Sequence, residues 1–214
     1  MEDRITPGLY LEMTDRAADA YASTRVPSVL ARDGVSRATW WRNERRDRQD
    51  LPRRIPEFDL LGVYEVDDRF APPEVPADVR AHHFRHHARP GQGRLSGRPT
   101  VGLSLVLISP RHDSEAQALR DWGDFVHIRH IAEAAVPGYT MITPYENATP
   151  SASPRFLHLY EIDRDDPEAV FASMTPLVMQ RLGSDTPQWR EWANTRELRI
   201  DYVNTFALIA SATP

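Results

Sequence analysis

The chain has 214 residues, 26 basic against 31 acidic side chains, a net charge of −5, 18 prolines and no cysteine, and every basic residue is arginine. Without cysteine there is no disulfide framework, thiolate nucleophile or Cys-ligated zinc or iron–sulfur centre; without lysine there is no Schiff base, pyridoxal phosphate enzyme or Walker phosphate loop. The acidic balance argues against a nucleic-acid partner, Met1-Glu2-Asp3-Arg4 opens no long apolar run, and no stretch nears the roughly 18 apolar residues of a membrane helix, so a cytoplasmic globular protein is expected.

In chain order, a short apolar run predicts a strand at 8–13, and a helix over 15–32 starts after Thr14-Asp15 and stops at Asp33-Gly34. Alternating runs predict strands at 35–42 and 59–66. A second helix falls near 76–87, and 88–99, rich in Gly, Pro and Arg, reads as a linker. A strand at 101–108, a helix at 114–135 and strands at 139–146 and 156–162 follow. Helices at 167–182, opened by Asp166-Pro167, and at 187–196 lead to a last strand from Ile200 to Ile209.

The second half echoes the first. Leu60-Leu61-Gly62-Val63-Tyr64-Glu65-Val66-Asp67 returns 96 residues later as Phe156-Leu157-His158-Leu159-Tyr160-Glu161-Ile162-Asp163. Gly8-Leu9-Tyr10-Leu11 is answered by Gly102-Leu103-Ser104-Leu105, and Gly34-Val35 with Trp40-Trp41 by Gly138-Tyr139 with Pro144-Tyr145. The fold expected is α+β: two tandem ferredoxin-like β-α-β-β-α-β repeats, 1–90 and 100–214, joined by a linker at 91–99.

At Trp122-Gly123-Asp124-Phe125-Val126-His127-Ile128-Arg129-His130, closed by Val136-Pro137-Gly138-Tyr139, the sequence resembles the dimeric α+β barrel superfamily, nearest its EthD-like branch. In that branch an aromatic residue and a His lie on the first helix, and a Pro-Gly turn leads into an aromatic-rich strand. The first half carries a degraded version, with Tyr21, Pro27 and Trp40-Trp41, and Arg25 near where the helical His would be. The resemblance implies two sheets packed as an intrachain barrel and a pocket between each sheet and its helices. It implies chemistry ranging from cofactor-free monooxygenation through cyclisation and lactone isomerisation to haem enzymes; fold does not choose among these.

His127 and His130, three apart on a helix, can share a face, and neutral imidazole is the commonest general base at neutral pH. They are the candidate catalytic residues, with Trp122, Tyr139, Tyr145 and His158 as substrate-binding candidates. Tyr139 and Tyr145, six apart, are expected on one strand face, as are His158 and Tyr160. His82-His83-Phe84-Arg85-His86-His87 has i, i+4 pairs on a helix but reads as an exposed polar helix end rather than a metal site, so no metal is assigned. The run Arg42 to Arg54, six arginines among three acids, reads as a solvated loop, with an anionic-substrate gate as the alternative. Trp189 and Trp192 read as core or subunit contact. Of Trp40-Trp41, one is core and the other pocket or interface. The repeated Tyr64-Glu65 and Tyr160-Glu161 pairs read as structural.

The function expected is a cofactor-independent enzyme doing proton-transfer chemistry (cyclisation, isomerisation or elimination) on an oxygenated, rather apolar small molecule. The alternatives are a haem-binding barrel enzyme with one of these His as axial ligand, and a non-catalytic binding or assembly module. Neither a membrane nor a nucleic acid is an expected partner, and the chain is expected to act as a monomer or homodimer.

Overall fold

The computed structural model describes residues 6–51 and 53–214. The alternating apolar runs form β1 (Gly8–Thr14), β2 (Val35–Asn43), β3 (Leu60–Val66) and β4 (Val79–His86), with α1 (Ala18–Leu30) between the first two strands. The short β5 (Gln92–Gly93) is followed by β6 (Gly102–Pro110), α2 (Ala116–Trp122), a π-helical turn (Gly123–His127) and α3 (Ile128–Glu133). The chain ends with β7 (Tyr139–Asn147), β8 (Phe156–Ile162), α4 (Pro167–Leu182), α5 (Pro187–Ala193) and β9 (Leu198–Ala212).

The strands pair in the order β4-β1-β3-β2-β9-β6-β8-β7, and β4 returns to pair with β7, so eight antiparallel strands close on themselves. Closure leaves none of the eight as a free edge, and β5 adds to β7 beside it. One face of each strand points inward. Leu9, Leu11, Trp41, Leu61, Val63, Phe84, Leu105, Tyr145, Leu157, Tyr202 and Phe206 pack there into one cluster. The loop between β2 and β3 plugs this interior with Ile55 and Phe58, Phe58 stacking on Tyr202 and Phe206 at 5.0 and 5.5 Å.

Helices cover the outward faces. On the first half α1 lays Tyr21, Val26 and Val29 on Tyr10, Trp40 and Tyr64. Its polar groups form a buried network: Arg25 donates from Nη2 and Nε to Glu12 Oε1 at 2.5 and 2.9 Å, and the Tyr21 hydroxyl donates to Glu12 Oε2 at 2.9 Å. Gly62, paired with Glu12, is a glycine because any Cβ there would overlap the Tyr21 hydroxyl. Trp40 and Trp41 do face opposite sides, but both are core, one under α1 and the other inside the barrel.

Two expectations are corrected. The helix near 76–87 is strand β4. Pro72, Pro73 and Pro76 remove backbone donors from the segment where that helix would begin, and the residues after it alternate. His82 and His86 therefore turn inward with Phe84, half-buried, while His83 stacks edge-on against Phe70 at 5.5 Å on the other face. The β2–β3 loop is not uniformly solvated, since Arg48 is only 2% exposed. Its Nε donates to Asn204 Oδ1 at 3.1 Å, its Nη2 pairs with Glu168 of α4, and its guanidinium lies 4.8 Å from the Phe171 ring centre. In the segment 88–99, Arg89 pairs with Asp121 and Asp124 and Gln92 donates to the Asp124 carbonyl, while 93–99 are exposed.

Breaking a buried ion pair on one side costs more than deleting both charges. Glu12→Ala is expected to lower stability by about 3–5 kcal/mol in urea unfolding, because it strands Arg25. The double change Glu12→Leu/Arg25→Leu is expected to cost much less than Glu12→Ala alone; an equal or larger loss would refute this account of the network.

Candidate functional site

The helix-covered face of the second half leaves a cavity of ≈ 130 Å³ between β6, β8, β9 and the helices α2 and α4. Ser104 and Val106 of β6, His158 and Tyr160 of β8 and Tyr139 of β7 form its floor, Phe171 and Met174 of α4 one wall, and Trp122 and His127 another. Leu51, from the β2–β3 loop, reaches over from the first half to complete it. A cavity of this size holds about one benzene-sized ring.

His127 is the most constrained side chain in this wall. Its ring stacks on Trp192 of α5 at 4.9 Å and 8°, and Trp122 lies tilted against it at 4.7 Å. Trp192 Nε1 donates to the His127 carbonyl at 3.1 Å, and His127 Nδ1 lies 3.2 Å from the Trp192 carbonyl. A carbonyl only accepts, so Nδ1 carries the proton and Nε2 is left as the lone-pair nitrogen. Burial pushes the His127 pKa down to about 4, against the Trp192 carbonyl, which favours the charged form. The ring is therefore neutral at physiological pH.

His158 stands across the floor, also neutral, its pKa pushed down to about 3 by burial. Asp124, in the π-helical turn, holds Oδ1 3.8 Å from His158 Nε2 and accepts at Oδ2 from Arg89 at 3.1 Å. Burial raises the Asp124 carboxyl to about 6, with Arg89 opposing. Gly123 in the same turn is what admits His158, because a Cβ there would come 2.9 Å from its Cε1. Insertions of this π type recur at functional sites. On the remaining side the Tyr139 hydroxyl lies 3.2 Å from Ser104 Oγ, and its ring tilts against Tyr160 at 5.3 Å. Burial raises the Tyr139 pKa, so it stays a donor.

Four of the six candidates, Trp122, His127, Tyr139 and His158, thus meet at one cavity, and two do not. His130 does not line the cavity and is half-buried beside Glu133, with Nδ1 3.4 Å from Glu133 Oε2. Tyr145 does not share a face with Tyr139: the β7–β8 register shifts between Tyr139 and Met141, and this bulge reverses the alternation, sending Tyr145 into the barrel interior. It borders only a void of ≈ 10 Å³ behind His158. Sequence reasoning missed Trp192 as His127's partner, Asp124, and Ser104, whose one visible signal was a hydroxyl inside an apolar strand.

Among the described residues no group of three or more His, Asp or Glu is arranged to hold a metal ion. A haem does not fit the cavity either. The space admits about one small ring rather than a tetrapyrrole, two indoles pack against the His127 ring, and no arginine lines the cavity to meet propionates.

No protein-family model matches the chain, and no curated protein does. Solved structures do. An anthrone oxidase-like protein superposes with a TM-score of 0.55 at 12% identity, over 98% of this chain and 94% of the other. A candidate monooxygenase from Fusobacterium nucleatum subsp. nucleatum gives 0.54 at 4% identity, over 97% and 94%. A tryptophan-to-phenylalanine mutant of chlorite dismutase from Candidatus Nitrospira defluvii, in complex with cyanide, gives 0.51 at 10% identity, over 97% and 92%. At these identities the likeness shows the fold, an α+β architecture around a closed antiparallel barrel, and nothing of the chemistry.

His127 binds fewer protons folded than unfolded between about pH 6.5 and its folded value of about 4, so its contribution to stability is lost as pH falls through that window. Urea unfolding at pH 7 and pH 4.5 is expected to show His127→Gln losing less stability than the parent on acidification, by up to about 3 kcal/mol. Asp124 acts with the opposite sign, since its raised value makes the folded form hold the extra proton, and it is common to both proteins. Identical acid sensitivity in the two would contradict a buried neutral His127.

Proposed function

We propose that the chain is a small-molecule enzyme that performs cofactor-independent proton transfer on a one-ring, oxygenated, rather apolar substrate held in the second-half cavity. The observation that carries this is His127. An imidazole fixed in one tautomer by a backbone carbonyl, with Nε2 unpaired at an apolar cavity, is built to accept a proton. In this scheme Nε2 takes a proton from an acidic C–H or O–H of the substrate, and the electron pair moves onto a substrate oxygen hydrogen-bonded to the Tyr139 hydroxyl. The imidazolium then returns the proton to another carbon or to a leaving group, giving isomerisation, cyclisation or elimination. A ring that resists protonation in the empty cavity gains basicity when an enolate or phenolate forms beside it, because the two charges pair in a dry site. His158 serves as a second acceptor that orients the substrate.

The same reading places the chain in the EthD-like branch in tandem form, with 1–90 and 100–214 as the two repeats. What supports it is register. The strand orders β4-β1-β3-β2 and β9-β6-β8-β7 are equivalent, Tyr10 opposite Tyr64 matches Ser104 opposite Tyr160, and Glu12 opposite Gly62 matches Val106 opposite His158. Arg25 and Tyr21 then correspond to His127 and Gly123. In the first repeat an ion pair and a phenol fill the space; in the second the same space is a cavity. The Trp122, His127, Gly138 and Tyr139 motif of the resemblance surrounds that cavity or turns into it.

Solvent-deuterium exchange into enolisable cyclic ketones tests the chemistry without a known substrate. The parent protein is expected to accelerate exchange, His127→Ala to lose that acceleration by about 10²–10⁴-fold, and His130→Ala to stay within about twofold of the parent. If His127→Ala exchanges as fast as the parent, the acid–base role is wrong.

A further inference from the structure

A second, larger cleft of ≈ 580 Å³ adjoins the apolar cavity, and its character is opposite. Arg53, Arg54, Arg111 and Arg199 line it, with no acidic side chain in the lining. Two of the four are occupied: Arg53 pairs with Glu57, and Arg199 donates to Asp201 Oδ1 at 3.1 Å and to Ser153 at 2.8 Å. Arg54 and Arg111, both exposed, have no ion-pair partner among the described residues.

The cleft and the cavity share a wall. Leu198 and Ile200 of β9 line both. The β2–β3 loop contributes to both as well, with Leu51 to the cavity and Arg53 and Arg54 to the cleft. Loop and strand are held in register, since the Arg54 and Ile55 amides donate to the Asp201 carbonyl at 2.8 and 3.1 Å. The cavity alone is small beside ordinary ligand sites of roughly 300–1,000 Å³, whereas cavity and cleft together fall in that range.

Resting on the function proposed above, we propose that the substrate is bipartite. Its apolar ring occupies the His127 cavity, and an anionic group, carboxylate or phosphate, passes Leu198 and Ile200 to lie between Arg54 and Arg111. Guanidinium groups grip such oxyanions with paired donors, and here they give the ring a fixed direction of entry.

The test uses ω-phenylalkanoates of increasing chain length, the matching phenylalkyl phosphates and the matching neutral amides, with binding read from tryptophan fluorescence at Trp122 and Trp192. At one chain length the anions are expected to bind about tenfold tighter than the amide at low salt. The gap is expected to close in Arg54→Ala/Arg111→Ala and in about 0.5 M salt, with the amide's affinity unchanged. Whichever of carboxylate and phosphate gains more identifies the anion. Ring binding with no preference for anions, or a preference that survives the double variant, overturns the bipartite substrate and leaves the cavity's role standing. Anion binding indifferent to chain length and to the cavity-filling Val106→Trp also overturns it, by placing the anion in the cleft alone. Failure of every ring, neutral or charged, to bind overturns the cavity's role itself.

Discussion

Closing eight strands leaves an interior only wide enough for side chains, and in this protein both halves fill it with leucine, aromatic and valine residues to a buried cluster. The first consequence is that no ligand enters the barrel. Binding space then lies outside the barrel interior, in the cavity between strands and helices and in the cleft beside it. The second is that the outer faces are free to diverge. The inner face must stay apolar and tightly packed on every strand for the ring to close, while the outer residues answer only to their own helix. Glu12 pairs with Gly62 under α1 and Val106 with His158 beside the cavity, and the two pairs differ completely in chemistry.

That divergence has an electrostatic logic. Under α1 a full charge is buried, and it is tolerated because Arg25 meets Glu12 with several hydrogen bonds and the Tyr21 hydroxyl satisfies the second oxygen. Around the second-half cavity no charged side chain forms the lining, and burial instead keeps two imidazoles neutral. The one carboxylate nearby, Asp124, is tied to Arg89 from the segment joining the halves and stops short of His158. The first half is thus a packed layer, and its β2–β3 loop serves the second: it plugs the barrel end with Phe58, anchors on α4 through Arg48 and Glu168, and lends Leu51 to the cavity.

How much of this was legible in the sequence follows from which signals are local. Strands with strong period-2 runs and the Asp166-Pro167 start of α4 are local signals, and they survive in the fold. The two errors of element and face came from backbone events that side-chain periodicity cannot register. A bulge of one residue at Tyr139 separates it from Tyr145, and three prolines before β4 turn a His-rich segment with helical spacing into a strand. The charge run at Arg42–Arg54 failed for a different reason. Its mean composition is that of a solvated loop, but one arginine is buried by partners 120 and 156 residues away. His130 was indistinguishable from His127 by type and helical phase. What separates them is Trp192, in a helix 65 residues distant, whose carbonyl and indole nitrogen both meet His127.

The π-helical turn and the β7 bulge act on the same problem from opposite sides of the cavity. An α-helix running straight from Ala116 to Glu133 would carry Gly123, Asp124 and His127 on a regular 100° spacing. Widening the helix across Gly123–His127 allows a glycine to face His158 while His127 packs against both indoles. The bulge in turn puts Tyr139 on the helix-facing side at the start of a strand whose alternation would otherwise aim it inward. Each irregularity gives up regular backbone pairing, and each delivers a polar side chain to an otherwise apolar chamber. Packing alone would have been served better by straight elements and aliphatic residues at these places.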